Sequence, residues 1–128
     1  MKLERDLMKQ IDQRLGIYQL SGAVIWYTRL NAGRIKSYYG TYLRLAPKGT
    51  PDYIALIRSR QDNLVALFIE AKSDTGKVRD DQKIFISKYG TKEGIFVIVL
   101  KDIRDLDKWI TKYAKNFVDS LPNDLKDI

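Results

Sequence analysis

The sequence predicts an α/β protein built on a mixed β-sheet flanked by helices. Three observations predict it. Apolar runs at residues 53–57 and 64–69 flank a polar turn at 59–63, the pattern of a β-hairpin. A helix-like stretch at 80–89 separates that hairpin from a third apolar run at 94–100. A strand that returns after a helix lies parallel to its predecessor through a right-handed crossover. Helix-period stripes near both ends of the chain supply the covering layers.

The elements follow in order. Leu3, Leu7, Ile11 and Leu15 recur every four residues, which predicts a helix over 2–15 with Gly16 as its stop. Residues 23–30 (AVIWYTRL) are β-rich and form the first strand, and 31–34 (NAGR) read as a turn. Residues 35–46 interleave Tyr38, Tyr39 and Tyr42 with Lys36 and Arg44 around Gly40. Such a segment suits contact with a sugar–phosphate backbone or an unstacked base. It equally suits a twisted strand that packs its tyrosines, or a dimer interface.

Residues 47–52 (PKGTPD) form a rigid turn, because Pro51 fixes its own φ and pushes Thr50 toward extended geometry. Gly49 leaves room for a bulky neighbour such as DNA. The run 64–69 (LVALFI) has no polar residue, so both its faces are expected to be buried. After the polar loop 73–79, residues 80–89 form a helix ended by Gly90, with Asp80 and Asp81 as N-terminal acids. Gln82, Phe85, Ile86 and Tyr89 share its inward face, and Gln82 there needs a hydrogen-bond partner. Asp102 reads as an N-cap, and Leu106, Trp109, Ile110, Tyr113 and Phe117 form a core stripe. A single domain over 1–118 precedes a polar tail, 119–128, in which Pro122 ends any helix.

Chemistry concentrates at residues 49–72. The apolar run 64–69 ends abruptly in Glu70-Ala71-Lys72. A charge at the end of a buried strand is costly unless something compensates it. Strand alternation puts Glu70 and Lys72 on one face and Ala71 on the other. Asp52 opens the partner strand beside Glu70. Two carboxylates and a lysine at one sheet corner can hold a hard divalent cation. Asp52 is also suited to capping a turn.

Composition removes other chemistries. With no Cys and no His, thiolate sites, Ser-His-Asp triads and most zinc chemistry are excluded. No apolar run is long enough for a membrane span, and the charged amphipathic N-terminus is no signal peptide, so the expected compartment is the cytoplasm. No glycine-rich phosphate loop or other signature of an organic cofactor is present in the sequence. The net charge is +7, and residues 29–60 contribute +6 of it: Arg29, Arg34, Lys36, Arg44, Lys48, Arg58 and Arg60 against Asp52 alone. A basic block around a carboxylate site points to a polyanion, most simply nucleic acid. Lys77 and Arg79 add further phosphate-binding candidates.

The series G-T-P-D at 49–52, I-E-A-K at 69–72 and Gln82 at a helix start resembles the VRR-NUC family of virus-type replication-repair nucleases, within the PD-(D/E)xK superfamily. The resemblance spans residues 4–100. It implies a restriction-endonuclease-like fold and a Mg²⁺- or Mn²⁺-dependent endonuclease. Asp52 and Glu70 would bind the metal, with the Ala71 carbonyl as a further ligand. Lys72 would position the attacking water. Gln82 would orient a water, Lys72 or a phosphate. Glu4 would reach the metal from the first helix, although an acid there also suits the helix dipole. Members that look like this one act on branched DNA of the Holliday-junction kind, often as homodimers, and the resemblance also goes with a bacterial or phage-infected cell. A non-catalytic nucleic-acid-binding module and an RNA-directed nuclease are the competing readings.

Overall fold

The computed structural model describes residues 3–30, 34–36, 38–44 and 46–115, with 34–36 and 42–44 described as backbone. Its centre is the hairpin. Strands β4 (Tyr53–Arg58) and β5 (Leu64–Ala71) pair antiparallel from Tyr53↔Ile69 to Arg58↔Leu64. Between them Asp62 takes a positive φ of 65°, and Ser59 N–H donates to the Asn63 carbonyl at 2.8 Å. Asp and Asn tolerate such turns because their short side chains satisfy local backbone.

Strand β1 (Val24–Arg29) adds antiparallel to β4, and β6 (Ile95–Leu100) adds parallel to β5, giving the order β1-β4-β5-β6. The crossover passes through helix α2 (Asp80–Tyr89), capped by Gly90. The sequence expectation of one parallel pair and one hairpin holds in this register.

One face of the sheet is the core. Tyr53, Ala55, Ile57, Leu67 and Ile69 alternate along β4 and β5 and are fully buried. Helices α1 (Glu4–Ser21) and α3 (Ile103–Tyr113) cover them with Leu7, Ile11, Leu15, Leu106 and Ile110. The two helices are joined by the Tyr18 hydroxyl on Asp107 and by Arg14 on Asp107 at 3.4 Å. Asp102 caps α3, accepting from Arg104 N–H at 2.9 Å. The expected stripe packs as read, with Phe96 edge-on to Trp109. Phe117, the tail 119–128 and Pro122 lie outside the described residues.

The other face differs from expectation. Ala66 and Phe68 are only half-buried, and Leu64 is exposed. Helix α2 has ten residues and lies toward β6, touching Phe68 through Phe85. It is too short to cover the whole sheet, so among the described residues the second face of β5 is not sealed.

Two further corrections concern chain direction. Helix α1 does not stop at Gly16; it runs to Ser21 and ends at Gly22, which takes φ 88°. Burial of Tyr18, one turn beyond Leu15, repays carrying a glycine inside the helix. The segment 35–46 is not one strand. Strands β2 (Arg34–Lys36) and β3 (Tyr42–Arg44) form a separate two-stranded ribbon, turned at Tyr38-Tyr39-Gly40. Of the expected turn at 31–34, residues 31–33 lie outside the described residues and Arg34 opens β2 instead.

Candidate metal centre

The site forms where β4 begins and β5 ends. The register Tyr53↔Ile69, continued by one residue, sets Asp52 opposite Glu70. Asp52 is fixed by its neighbours: Leu30 N–H donates to its carbonyl at 2.6 Å, and Ala71 N–H donates to its Oδ2 at 2.8 Å. The carboxylate therefore takes a hydrogen bond where the β4–β5 ladder ends. In a strand, the N–H and C=O of one residue point to the same side. The Ala71 carbonyl thus lies on the Asp52 side rather than toward β6. Lys72 N–H does point to β6, donating to Leu100 at 2.9 Å.

Glu70 and Lys72 share a face, as alternation requires, and both are buried. Lys72 Nζ stands 3.6 Å from Glu70 Oε1. Gln82, also buried, donates from Nε2 to the same oxygen at 2.7 Å. The protein partner of Gln82 is therefore Glu70. Its other end, Oε1, accepts from Arg79 N–H at 2.9 Å, just before α2. One side chain caps the helix and docks it on the acidic strand end. Asp81 Oδ1 accepts from Gln82 N–H at 3.0 Å, as expected of an N-terminal acid.

Glu4 completes the cluster. It is exposed in the first turn of α1, yet carboxylate oxygens of Glu4, Asp52 and Glu70 lie within 4.8 Å of one another. Tyr53, which no sequence pattern singled out, helps to place it. The buried Tyr53 hydroxyl donates to the Met8 carbonyl at 3.1 Å, which anchors the start of α1 beside Asp52. Its place directly after the site aspartate, at the head of the apolar run 53–57, is the sequence signal that could have found it.

Three carboxylates this close repel one another. The Glu70 carboxyl is pushed up to about 7, by burial first and by the Asp52 and Glu4 charges, against the pull of Lys72 and Arg79. Asp52 is raised as well, by burial, while the Ala71 N–H, Lys72, Arg29 and Arg79 act the other way. The donor set fits a hard dication. A Mg²⁺ ion with ligands at about 2.1 Å sets its ligand oxygens roughly 3–4 Å apart, a small closure from the spacing found here.

Of the basic candidates, Arg29 and Arg79 stand close enough to act on Asp52 electrostatically. Lys48 acts on Asp81 at the start of α2, and Lys77 is exposed in the loop before it. The side chains of Arg34, Lys36 and Arg44 lie outside the described ones. Gly49 does make a close approach, with φ 89°, and the neighbour it meets is the start of α2. A Cβ there would fall 2.3 Å from the Asp81 carbonyl oxygen. Gly49 lets the 47–52 turn lie against α2, which holds Asp52 and Gln82 in one unit.

A mixed sheet between helices, with acids gathered where an antiparallel pair ends and a parallel strand lies alongside, is a restriction-endonuclease-like α/β fold. The VRR-NUC domain model matches residues 25–101, more than half the chain, and the protein belongs to this family of nucleases. Glu4 lies outside the matched span, so its place at the site rests on geometry. No significant match was found among curated proteins or among solved structures. Among the described residues, no helix is long and apolar enough to cross a membrane.

Proposed function

We propose that this protein is a Mg²⁺- or Mn²⁺-dependent DNA endonuclease that hydrolyses phosphodiesters in branched DNA, acting as a homodimer in replication, recombination or repair. The observation that carries the metal is the convergence of Glu4, Asp52 and Glu70 beside the Lys72 ammonium. Asp52, Glu70 and Glu4 hold the cation, with the Ala71 carbonyl as a fourth donor. The cation supplies Lewis-acid polarisation of a phosphoryl group and a lowered pKa for water beside it. Lys72 positions that water and offsets charge developing at phosphorus. Gln82 keeps Glu70 oriented toward the cation. Arg29, Lys48, Lys77 and Arg79, with Arg34, Lys36 and Arg44 in the ribbon, draw phosphates to the site. The basic block at 29–60 suits a polyanion, the family resemblance points to branched DNA, and two symmetric cuts need two active sites.

The test is cleavage of labelled four-way junction, flap, single-stranded and linear duplex DNA with Mg²⁺ or Mn²⁺. The junction should be cut fastest, EDTA should abolish cutting, and Lys72→Ala should bind but cut roughly a hundred- to a thousandfold more slowly. Absence of cutting on every substrate would overturn the enzymatic reading. Equal cutting of duplex and junction would overturn the branch preference.

A further inference from the structure

The β2–β3 ribbon carries a feature that metal binding does not explain. It leaves the main sheet after β1, whose last residue, Arg29, pairs with Tyr53, and it rejoins at Asp52. The Leu30 N–H bond to the Asp52 carbonyl ties its first root to its last. The ribbon is thus rooted at the metal centre. At its tip, Gly40 takes φ 84° and turns the chain. Tyr38 and Tyr39 lie there almost wholly in solvent, 97% and 88% exposed. They are not packed as a twisted strand would pack them. Tyr18 and Tyr53 are buried, and Tyr27, Tyr89 and Tyr113 are partly so. Tyr38 and Tyr39 alone are exposed among tyrosines whose side chains are described.

Two exposed rings are a cost unless a partner covers them. The two brace each other edge to face, with centroids 5.4 Å apart and planes at 89°. Only one ring can then present a flat face in a given direction, which suits a single planar partner. The charge of the ribbon specifies that partner's chemistry. Residues 34–48 hold Arg34, Lys36, Arg44 and Lys48 and no acid. The backbone register pairs Arg34 with Arg44, two cations at one cross-strand position. Like charges opposite each other destabilise a ribbon unless an anion lies nearby. A planar group attached to polyanion is a nucleobase on its phosphate backbone.

We propose that Tyr38 and Tyr39 form a stacking platform for an unpaired base at a DNA branch point. This inference rests on the nucleic-acid reading above and supplies its selectivity. Every base has a π-face, so stacking reads whether a base is unpaired, not which base it is. In linear duplex the bases are already stacked and the platform has nothing to take. At a branch point where pairing is interrupted, the unpaired base can reach the tip while the phosphates beside it meet the basic ribbon, with the metal centre at its root.

The test measures binding in EDTA, so no cutting is required. Full-length protein is titrated onto linear duplex and onto the same duplex with one unpaired 2-aminopurine at a four-way junction. Wild type should favour the junction and quench the 2-aminopurine. Tyr38→Ala/Tyr39→Ala should lose on the order of ten- to a hundredfold in junction affinity, as expected for one stacked base, and lose the quench, with duplex affinity changed much less. Tyr38→Phe/Tyr39→Phe should keep both, because the ring does the work. Both rings are exposed, so the variants should melt with wild type, and a shifted melting midpoint would itself contradict an exposed platform. An unchanged junction preference in the alanine variant overturns the proposal. So does a loss shared equally by duplex and junction, or preference for unpaired RNA over the DNA junction. A fall in molecular mass of the alanine variant by light scattering also overturns it, by assigning the rings to contact with a second copy. If wild type binds and quenches but cuts nothing, the platform stands and the nuclease reading fails. If wild type cuts junctions while the alanine variant keeps its preference, the nuclease reading stands and the platform fails.

Discussion

Gln82 and Glu70 meet across the boundary between α2 and the sheet, with Nε2 donating to Oε1 at 2.7 Å and both side chains buried. The same glutamine accepts the Arg79 N–H with its other end. Gln82→Ala removes a hydrogen bond to a carboxylate in a buried setting, for which about 1.5–3 kcal/mol is the usual cost. Urea unfolding at pH 8 should register a loss in that range. Mg²⁺ affinity should fall as well, because Glu70 is then held by Lys72 alone. A variant as stable as wild type would mean that water replaces the amide without penalty.

The Glu70 carboxyl has a second consequence, in pH. Its folded-state value is about 7 against an ordinary 4.5, so the folded protein binds this proton more tightly than the unfolded chain does. Stability linked to Glu70 is therefore fully present below about pH 4.5 and lost as pH rises through about 7. Asp52 is raised too and acts in the same sense. The metal-free melting midpoint should decline across this window, and Glu70→Gln should flatten the decline. Added Mg²⁺ competes with the proton, so its stabilising shift should grow from pH 5 to pH 8. Thermal melts with and without Mg²⁺ at each pH read both effects.

Two glycines with nearly equal φ give a controlled comparison. Gly22 takes φ 88° with open space where a Cβ would go, and Gly49 takes φ 89° with the Asp81 carbonyl oxygen 2.3 Å away. Gly22→Ala carries the left-handed strain alone, about 1–2 kcal/mol. Gly49→Ala adds a clash with backbone that cannot swing aside. It should cost at least about twice as much, since overpacking alone costs roughly 1–3 kcal/mol, and it should weaken metal binding by shifting α2. Equal losses in denaturant would show that the 47–52 turn yields freely.

These contrasts show where sequence reasoning reaches. The hairpin and the Asp52–Glu70–Lys72 corner were legible because strand period and register are local rules, and a charge ending an apolar run stands out. The roles of Gly16 and Gly49 were not legible. What a glycine does depends on what packs against it: Tyr18 extends α1 past Gly16, and Asp81 lies on Gly49 from thirty-two residues away in sequence. The Gln82 partner was hidden for the same reason, since docking of α2 sets it. The ribbon was missed as two elements because strands of three residues are too short to show alternation. Exposure of its tyrosines is likewise a fact of three dimensions.

Glu4 is the residue for which the two sequence readings make opposite predictions. As an acid in the first turn of α1, it favours the helix dipole, and Glu4→Gln would lower metal-free stability by about 0.3–1 kcal/mol. As a member of the acidic cluster, it repels Glu70 and adds to the rise of that carboxyl. Glu4→Gln then relieves repulsion and leaves metal-free stability unchanged or slightly higher. The cluster reading also requires a loss of Mg²⁺ affinity, on the order of tenfold for one carboxylate ligand at about 1.4 kcal/mol. Calorimetric titration with Mg²⁺, paired with a metal-free melt, separates the readings. A lower midpoint with unaltered affinity would return Glu4 to the helix, whereas the structure predicts weaker binding without loss of metal-free stability.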